Sequence, residues 1–239
     1  LVHFGTEEQK QHYLPPIARG EIRWCQGYSE PGAGSDLASV QTKCEDKGDH
    51  WLVNGQKIWT SYADKADAIF ALVRTDREAA KHLGITFLLI DMETPGVSTR
   101  PIKLISGMSP FCETFFEDVR VPAANVVGQV NAGWTVAKAL LGYERTMIGS
   151  AISGQMTNSE TDLVALARHE FEAPEGALPD PAIRSRIAAF GMTNECLNLT
   201  GLRIQQAREE GNAPGAESSI MKIGGTELKQ ELWSLFMDI

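Results

Sequence analysis

Apolar and polar positions change rhythm twice along the chain. Thr6 followed by Glu7 and Glu8 has the form of a helix start, a hydroxyl cap with acids in the first turn. That helix is expected to run to about Leu14, where Pro15-Pro16 ends it. From Trp24 the period shortens to two. Val40-Gln41-Thr42-Lys43-Cys44 alternates as a half-buried strand does. Trp51 to Trp59 sets Asn54-Gly55 between β-formers, which predicts a tight hairpin. Residues 68–73, 85–90 and 114–116 read as further strands, with Gly and Pro between them. No helix-length periodic stretch interrupts them, so the pattern predicts an antiparallel sandwich or open barrel and excludes βαβ units.

After Val121-Pro122 the period becomes helical and stays so. Asn131 stands where a cap would, ahead of a long helix from about Ala132 to Thr157. A second run covers Thr161 to Phe171. A Pro/Gly-rich loop (Pro174, Gly176, Pro179, Pro181) precedes a third run, from about Ala182 to Glu210. Gly211 to Gly215 breaks the chain before a last helix from about Ser218. Long helices with short breaks predict an up-down bundle. The fold class is therefore segregated α+β. Its expected parts are 1–22, the end of a helical domain; 23–131, a β domain; and 132–239, a helical bundle cut short.

The 239 residues carry 22 basic and 31 acidic side chains, a net charge of −9. A chain this long buries a real core, and 43% hydrophobic residues exclude disorder. The acidic balance gives no broad footprint for nucleic acid or anionic membrane. No apolar run approaches the roughly 20 residues a spanning helix needs. Neither a start methionine nor a signal segment precedes Leu1, so the sequence reads as a piece of something longer, expected in the cytoplasm or a mitochondrial matrix. Cys25, Cys44, Cys112 and Cys196 have no metal or redox spacing, and the five histidines form no HExxH pair. Reduced thiols and no metal are the expectation.

Ser29-Glu30-Pro31-Gly32-Ala33-Gly34-Ser35-Asp36 is the densest turn chemistry in the chain. Spacing alone favours a surface turn. It is no dinucleotide fingerprint, since the third glycine is missing and a strand follows. It is no P-loop either, lacking Gly-Lys-Ser/Thr. Glycines there would still let backbone N–H groups approach a phosphate or a ring oxygen. Trp59-Thr60-Ser61 reads either as core plus cap or as the flank of a flat, polar-edged ring.

Three ordered blocks taken together resemble the acyl-CoA dehydrogenase family: Cys25-Gln26-Gly27-Tyr28-Ser29-Glu30-Pro31-Gly32-Ala33-Gly34-Ser35-Asp36, Asn54-Gly55-Gln56-Lys57-Ile58-Trp59, and Phe116-Glu117-Asp118-Val119-Arg120-Val121-Pro122. The resemblance implies an FAD enzyme with a helical, a β and a second helical domain. It assigns Gln26, Tyr28 and Ser29 to the isoalloxazine edge, and Trp59 and Ser61 to the ring near its reactive nitrogen. It places Ser35 and Arg145 near the thioester ligand. It also implies an acyl-CoA substrate, an electron-transfer flavoprotein as acceptor, and a homo- or hetero-tetramer.

Dehydrogenating a thioester needs a base for the α-proton and an acceptor for the β-hydride. Glu144 shares a helical face with Leu140, Leu141 and Ile148, an unusual place for an acid. Read alone it is an ion-paired or stripe-edge glutamate. In the subset of the family that carries the base on the first helix of the last domain, Glu144 is the matching residue. One departure stands out: where members often show Arg-x-x-Phe-Gly, this chain has Arg168-His169-Glu170-Phe171-Glu172. The alternatives are an oxidase or monooxygenase on the same scaffold, and a non-catalytic subunit of a heteromeric complex.

Overall fold

The computed structural model describes the backbone of residues 1–155, 159–173, 177–212, 215 and 217–239; side chains are described throughout these except at 145–155, 159–160, 208 and 218. The chain forms two compact units, Leu1–Ala139 and Leu140–Ile239.

In the first unit, helix α1 spans Glu7–Ala18 and begins in a capping box, with Gln9 N donating to Thr6 Oγ1 and Thr6 N to Gln9 Oε1. It does not stop at Leu14. Pro15 and Pro16 lie inside it, one turn from its end. Their missing N–H groups cost two helical bonds, yet their carbonyls still accept from Arg19 and Glu21. Gln9 Nε2 then donates to the carbonyls of Ala124 and Val126, both at 2.8 Å, which ties α1 to the β region.

Seven strands follow: β1 (Trp24–Gly27), β2 (Lys43–Asp46), β3 (His50–Ser61), β4 (Ala68–Arg74), β5 (Ile85–Asp91), β6 (Val97–Ile102) and β7 (Phe111–Pro122). They form one sheet in the order β1-β4-β2-β3-β7-β6, with β5 on the other edge of β4. Pairing is antiparallel at β2–β3, β3–β7, β4–β5 and β6–β7, and parallel where β1 and β2 meet β4. Alternate residues (Val53, Ile69, Ala71, Val73, Leu88, Ile90, Cys112, Phe116, Val119, Val121) close the core beneath it.

Two local expectations fail, for one physical reason. β2 starts three residues later than alternation predicts, because Gln41 N and Thr42 N donate to the Glu30 carboxylate instead of a ladder. Asn54-Gly55 is not a hairpin turn either. It lies mid-strand in β3, at a register shift against β7 where Asn54 opposes both Glu117 and Asp118. The Asn54 and Asp118 groups exchange two hydrogen bonds, at 3.0 and 2.9 Å. The true β2–β3 turn is at Lys47-Gly48-Asp49, with Lys47 N donating to the His50 carbonyl. Gly55 has φ +152°, and a Cβ there would sit 2.8 Å from Thr42 Cα. Gly55→Ala is therefore expected to cost about 2 kcal/mol of stability, read as a lower urea midpoint with unchanged slope.

Helix α2 (Gly133–Gln155) begins in the first unit, after Asn131 at φ +64°. Asn131 N donates to Thr86 Oγ1, and its side-chain oxygen accepts from Thr75 Oγ1. The second unit continues with α3 (Ser159–Glu170), α4 (Pro181–Glu209) and α5 (Glu217–Asp238), close to the periods seen in the sequence. The expected helix end at Thr157 and the loop residues Pro174 to Gly176 lie outside the described residues. Leu163 and Ala167, then Ile183, Ile187 and Phe190, then Leu228, Leu232 and Leu235 pack at helical spacing into one core. Arg186 on α4 braces α5 through Glu231 and Asp238.

Candidate functional site

In the first unit, β1 leads into the bend that the sequence marked. Gln26 is half-buried on β1, paired with Phe70 of β4. Tyr28 is 4% exposed, and its ring meets Phe70 and Phe87 edge-on, so it is a core aromatic. Ser29 is half-buried. Glu30 and Ala33 then exchange both main-chain hydrogen bonds (2.9 and 3.0 Å) across Pro31-Gly32. A Cβ at Gly32 or Gly34 would meet nothing within 4 Å, and neither has a left-handed φ. The protein itself makes no use of glycine at these two places. Both leave the backbone bare to an approaching ligand. Ser35 is exposed, and its neighbour Asp36 is held by Ser39 and Lys81.

Trp59 is brought to this bend by β3. The Ile58 N–H donates to the Ser29 carbonyl at 2.9 Å. A second register shift then places Ile58 and Trp59 together opposite Glu113 of β7. This bulge turns Trp59 to φ +60°, a conformation that costs a bulky residue about 1 kcal/mol or more. The indole is consequently thrown outward, 54% exposed, with its edge to Phe111 at 6.1 Å. Ser61 is also exposed, while Thr60 between them is fully buried. Strand alternation after the bulge thus sets Trp59 and Ser61 outward together.

What the sequence reading missed lies underneath. Lys57 is 0% exposed and its Nζ donates to Glu30 Oε1 (2.8 Å), the Tyr28 carbonyl (3.2 Å) and the Leu72 carbonyl (2.6 Å). Glu30 also accepts from Gln41 N, Thr42 N and Thr42 Oγ1. Burial pushes the Lys57 ammonium down to about 8, with Glu30 pulling the other way. Burial works against the Glu30 carboxylate too, but Lys57 and the hydrogen-bond donors outweigh it, and its pKa falls below the usual range. The readable signal was parity: Trp51, Val53 and Lys57 share the inward face of one strand. Arg74, also buried, ties the Ala38, Val40 and Lys81 carbonyls behind the same bend. The thiols of Cys25 and Cys44 are pushed up to about 12 by burial, which makes them poor nucleophiles.

In α2, Val136 and Ala137 are buried and Leu140, Leu141 and Glu144 half-buried, one helical face. Glu144 Oε2 is shielded from solvent and has no hydrogen-bond partner among the described residues. Tyr143 is exposed. The side chains of Arg145 and Ile148 lie outside the described residues. At the end of α3, Ala173 N donates to the Arg168 carbonyl and Glu172 N to that of His169, with Glu172 at φ +49°. This is a Schellman cap. Glu172 keeps the backbone that a glycine would take, so the departure from Arg-x-x-Phe-Gly is in the side chain. Phe171 packs on the bundle core and Arg168 is exposed.

The first unit thus holds an open glycine bend beside an outward indole; the second holds a helix-borne acid with one oxygen that has no hydrogen-bond partner among the described residues. Residues 25–119 match the model of the acyl-CoA dehydrogenase middle domain, and residues 131–239 that of the acyl-CoA dehydrogenase C-terminal domain. The chain belongs to the acyl-CoA dehydrogenase family. It is 40% identical to acyl-CoA dehydrogenase FadE34 of Mycobacterium tuberculosis, over all of this chain and 32% of the relative. Identity to acyl-CoA dehydrogenase IpdE1 of the same organism is also 40%, over all of this chain and 60% of the relative. Among solved structures, the Tcur3481–Tcur3483 steroid ACAD superposes with TM-score 0.88 at 37% identity, covering 98% of this chain and 59% of that one. The ChsE4–ChsE5 complex of M. tuberculosis gives 0.83 at 34%, covering 99% and 61%. The chain thus spans about 60% of three of these relatives and 32% of the fourth. Among the described residues, no helix is long and apolar enough to cross a membrane.

Proposed function

We propose that this chain carries the flavin-binding and proton-abstracting parts of an FAD-dependent acyl-CoA dehydrogenase that forms a trans-2-enoyl-CoA. The observation that carries the reading is the Trp59 bulge. A strained backbone holds a large apolar ring out toward solvent, beside a bend whose glycines leave room for a ligand. Such strain persists where a bound group makes use of it. FAD, when bound, accepts the β-hydride and passes the electrons to an electron-transfer flavoprotein.

The chain's own residues do the rest. Trp59 covers the ring, the Ser61 hydroxyl donates to its edge, and Gln26, Tyr28 and Ser29 lie along the polar side. Glu144 takes the α-proton: its Oε2 is shielded from solvent and has no hydrogen-bond partner among the described residues. Ser35 and Arg145 serve the thioester. The substrate class is a CoA thioester of a steroid-derived acid, and the assembly joins two unlike subunits. Support comes from the two-component Tcur3481–Tcur3483 and ChsE4–ChsE5 structures, the first of them described as a steroid enzyme.

The test is a panel of CoA thioesters, straight-chain and steroid-derived, added anaerobically to the full-length flavoprotein. Bleaching of flavin absorbance by the steroid-derived members, with a second polypeptide co-purifying, is the expected result. Full-length protein that lacks flavin, or whose flavin no thioester reduces, would leave the non-catalytic reading. Rapid peroxide formation on admitting air would identify an oxidase.

A further inference from the structure

We infer that the buried Lys57–Glu30 pair is the positioning device of the flavin site: it locks the Tyr28–Glu30 bend onto β3 one residue before the Trp59 bulge, and so sets where indole and bend meet the ring. The inference rests on the flavin reading above.

Two adjacent residues of β3 grip three successive residues of the bend. The Lys57 ammonium takes the Tyr28 carbonyl and the Glu30 carboxylate, and the Ile58 N–H takes the Ser29 carbonyl between them. Trp59 follows at once with its reversed φ. The third ammonium proton goes to Leu72 on β4, so the same atom references the bend to the strand that runs beside β1. On the other side, Glu30 collects Gln41 N, Thr42 N and Thr42 Oγ1, which fixes the chain leaving the bend. Every proton of the ammonium has an acceptor and the carboxylate has four donors.

Stability alone does not explain charge here. Burying both ions carries a desolvation cost, and an apolar pair of similar volume would hold β3 to the bend about as firmly. Directed hydrogen bonds add what apolar contact does not: they forbid the bend to slide along β3. A slide of one residue would turn Trp59 inward and Thr60 outward, since neighbouring positions face opposite sides. Lys57 and Glu30 lie beneath the site and act through the bend and the bulge. They are positioning residues.

The test uses full-length holoprotein as wild type, Lys57→Met, and Lys57→Met combined with Glu30→Gln. The double variant leaves no unpaired charge and guards against a single variant that fails to fold. Val53→Ala, on the same strand and in the same core, serves as the packing control. FAD affinity is measured by titrating apoprotein, alongside the visible flavin spectrum and the two-electron potential. Both lysine variants are expected to weaken FAD binding at least tenfold and to shift the flavin bands. The oxidised and reduced forms should be affected unequally, each tenfold difference moving the potential by about 30 mV. Val53→Ala should lower the melting temperature and leave spectrum and potential as in wild type. A double variant with wild-type affinity, spectrum and potential would overturn the inference and leave the pair a structural brace. Wild-type protein that takes up no flavin would overturn the flavin reading and the inference together.

Discussion

Replacing Glu144 by glutamine is expected to slow flavin reduction by roughly 10²–10⁴-fold while FAD stays bound. The substitution keeps the shape and removes the basic oxygen. Oε2, shielded and without a donor among the described residues, is the atom whose lone pair is free to accept a proton. Because the amide still fills the same half-buried position on α2, the fold should hold. Melting temperature and flavin content should match wild type. Stopped-flow absorbance with the best thioester of the panel measures the effect. A Glu144→Gln protein that bleaches at the wild-type rate would move the base elsewhere. Glu144→Asp separates position from chemistry, since it retains a carboxylate but retracts it by one methylene. An intermediate rate is expected there.

The second large effect is on stability. Glu30→Gln strands the Lys57 ammonium at a site with no solvent exposure, and losing one partner of such a pair typically costs about 3–5 kcal/mol. The loss should depend on pH, with a definite sign. In the wild type Lys57 titrates near 8, below the 10.5 of the unfolded chain. Over that window the unfolded chain binds the extra proton, so this group's contribution to stability rises with pH and is lost as pH falls through 8. Glu30 is what holds the Lys57 value up, so the glutamine variant should titrate lower still. Its window then opens at a lower pH and is wider. The deficit of Glu30→Gln should therefore be largest near pH 6 and shrink by pH 9. Glu30 itself contributes on the acid side. Its depressed pKa gives wild type a stability that is present above about 4.5 and lost below, and the variant should lack that limb. Urea denaturation of both proteins at pH 5.5, 7 and 9 reads these differences. A deficit equal at all three would mean that the lysine carries no unpaired charge in the variant.

Several features of the candidate site were legible because they are local. The Ser29–Asp36 bend follows from its Pro and Gly content, whereas Trp59-Thr60-Ser61 reads equally as core plus cap or as the flank of a ring until the bulge shows Trp59 and Ser61 outward. Glu144 stood out as an acid on an apolar stripe. At Tyr28 the motif position implied the flavin edge, and only the structure shows its ring packed edge-on against Phe70 and Phe87. The Lys57–Glu30 pair has no local signature. A lysine in an alternating strand looks like a solvated one until its partner, 27 positions earlier, is known to lie beneath it.

By itself, the order of apolar and polar residues determined the segregated α+β plan, the helices of the second unit to within a few residues, and the strands β4 and β5. Those elements rest on contacts three or four residues apart, or on a simple inside–outside alternation. Tertiary structure alone decided the rest. Asn54-Gly55 has the local chemistry of a hairpin, yet Asp118 captures the asparagine from 64 residues away, and a crossing Thr42 occupies the space where a Cβ would go. The reversed backbone of Trp59 arises from a count of residues on β7, not from anything tryptophan prefers. Two prolines sit inside α1, whose placement owes much to Gln9 on the far carbonyls of Ala124 and Val126. In each case the deciding contact lies elsewhere along the chain, and a window of neighbouring residues contains no trace of it.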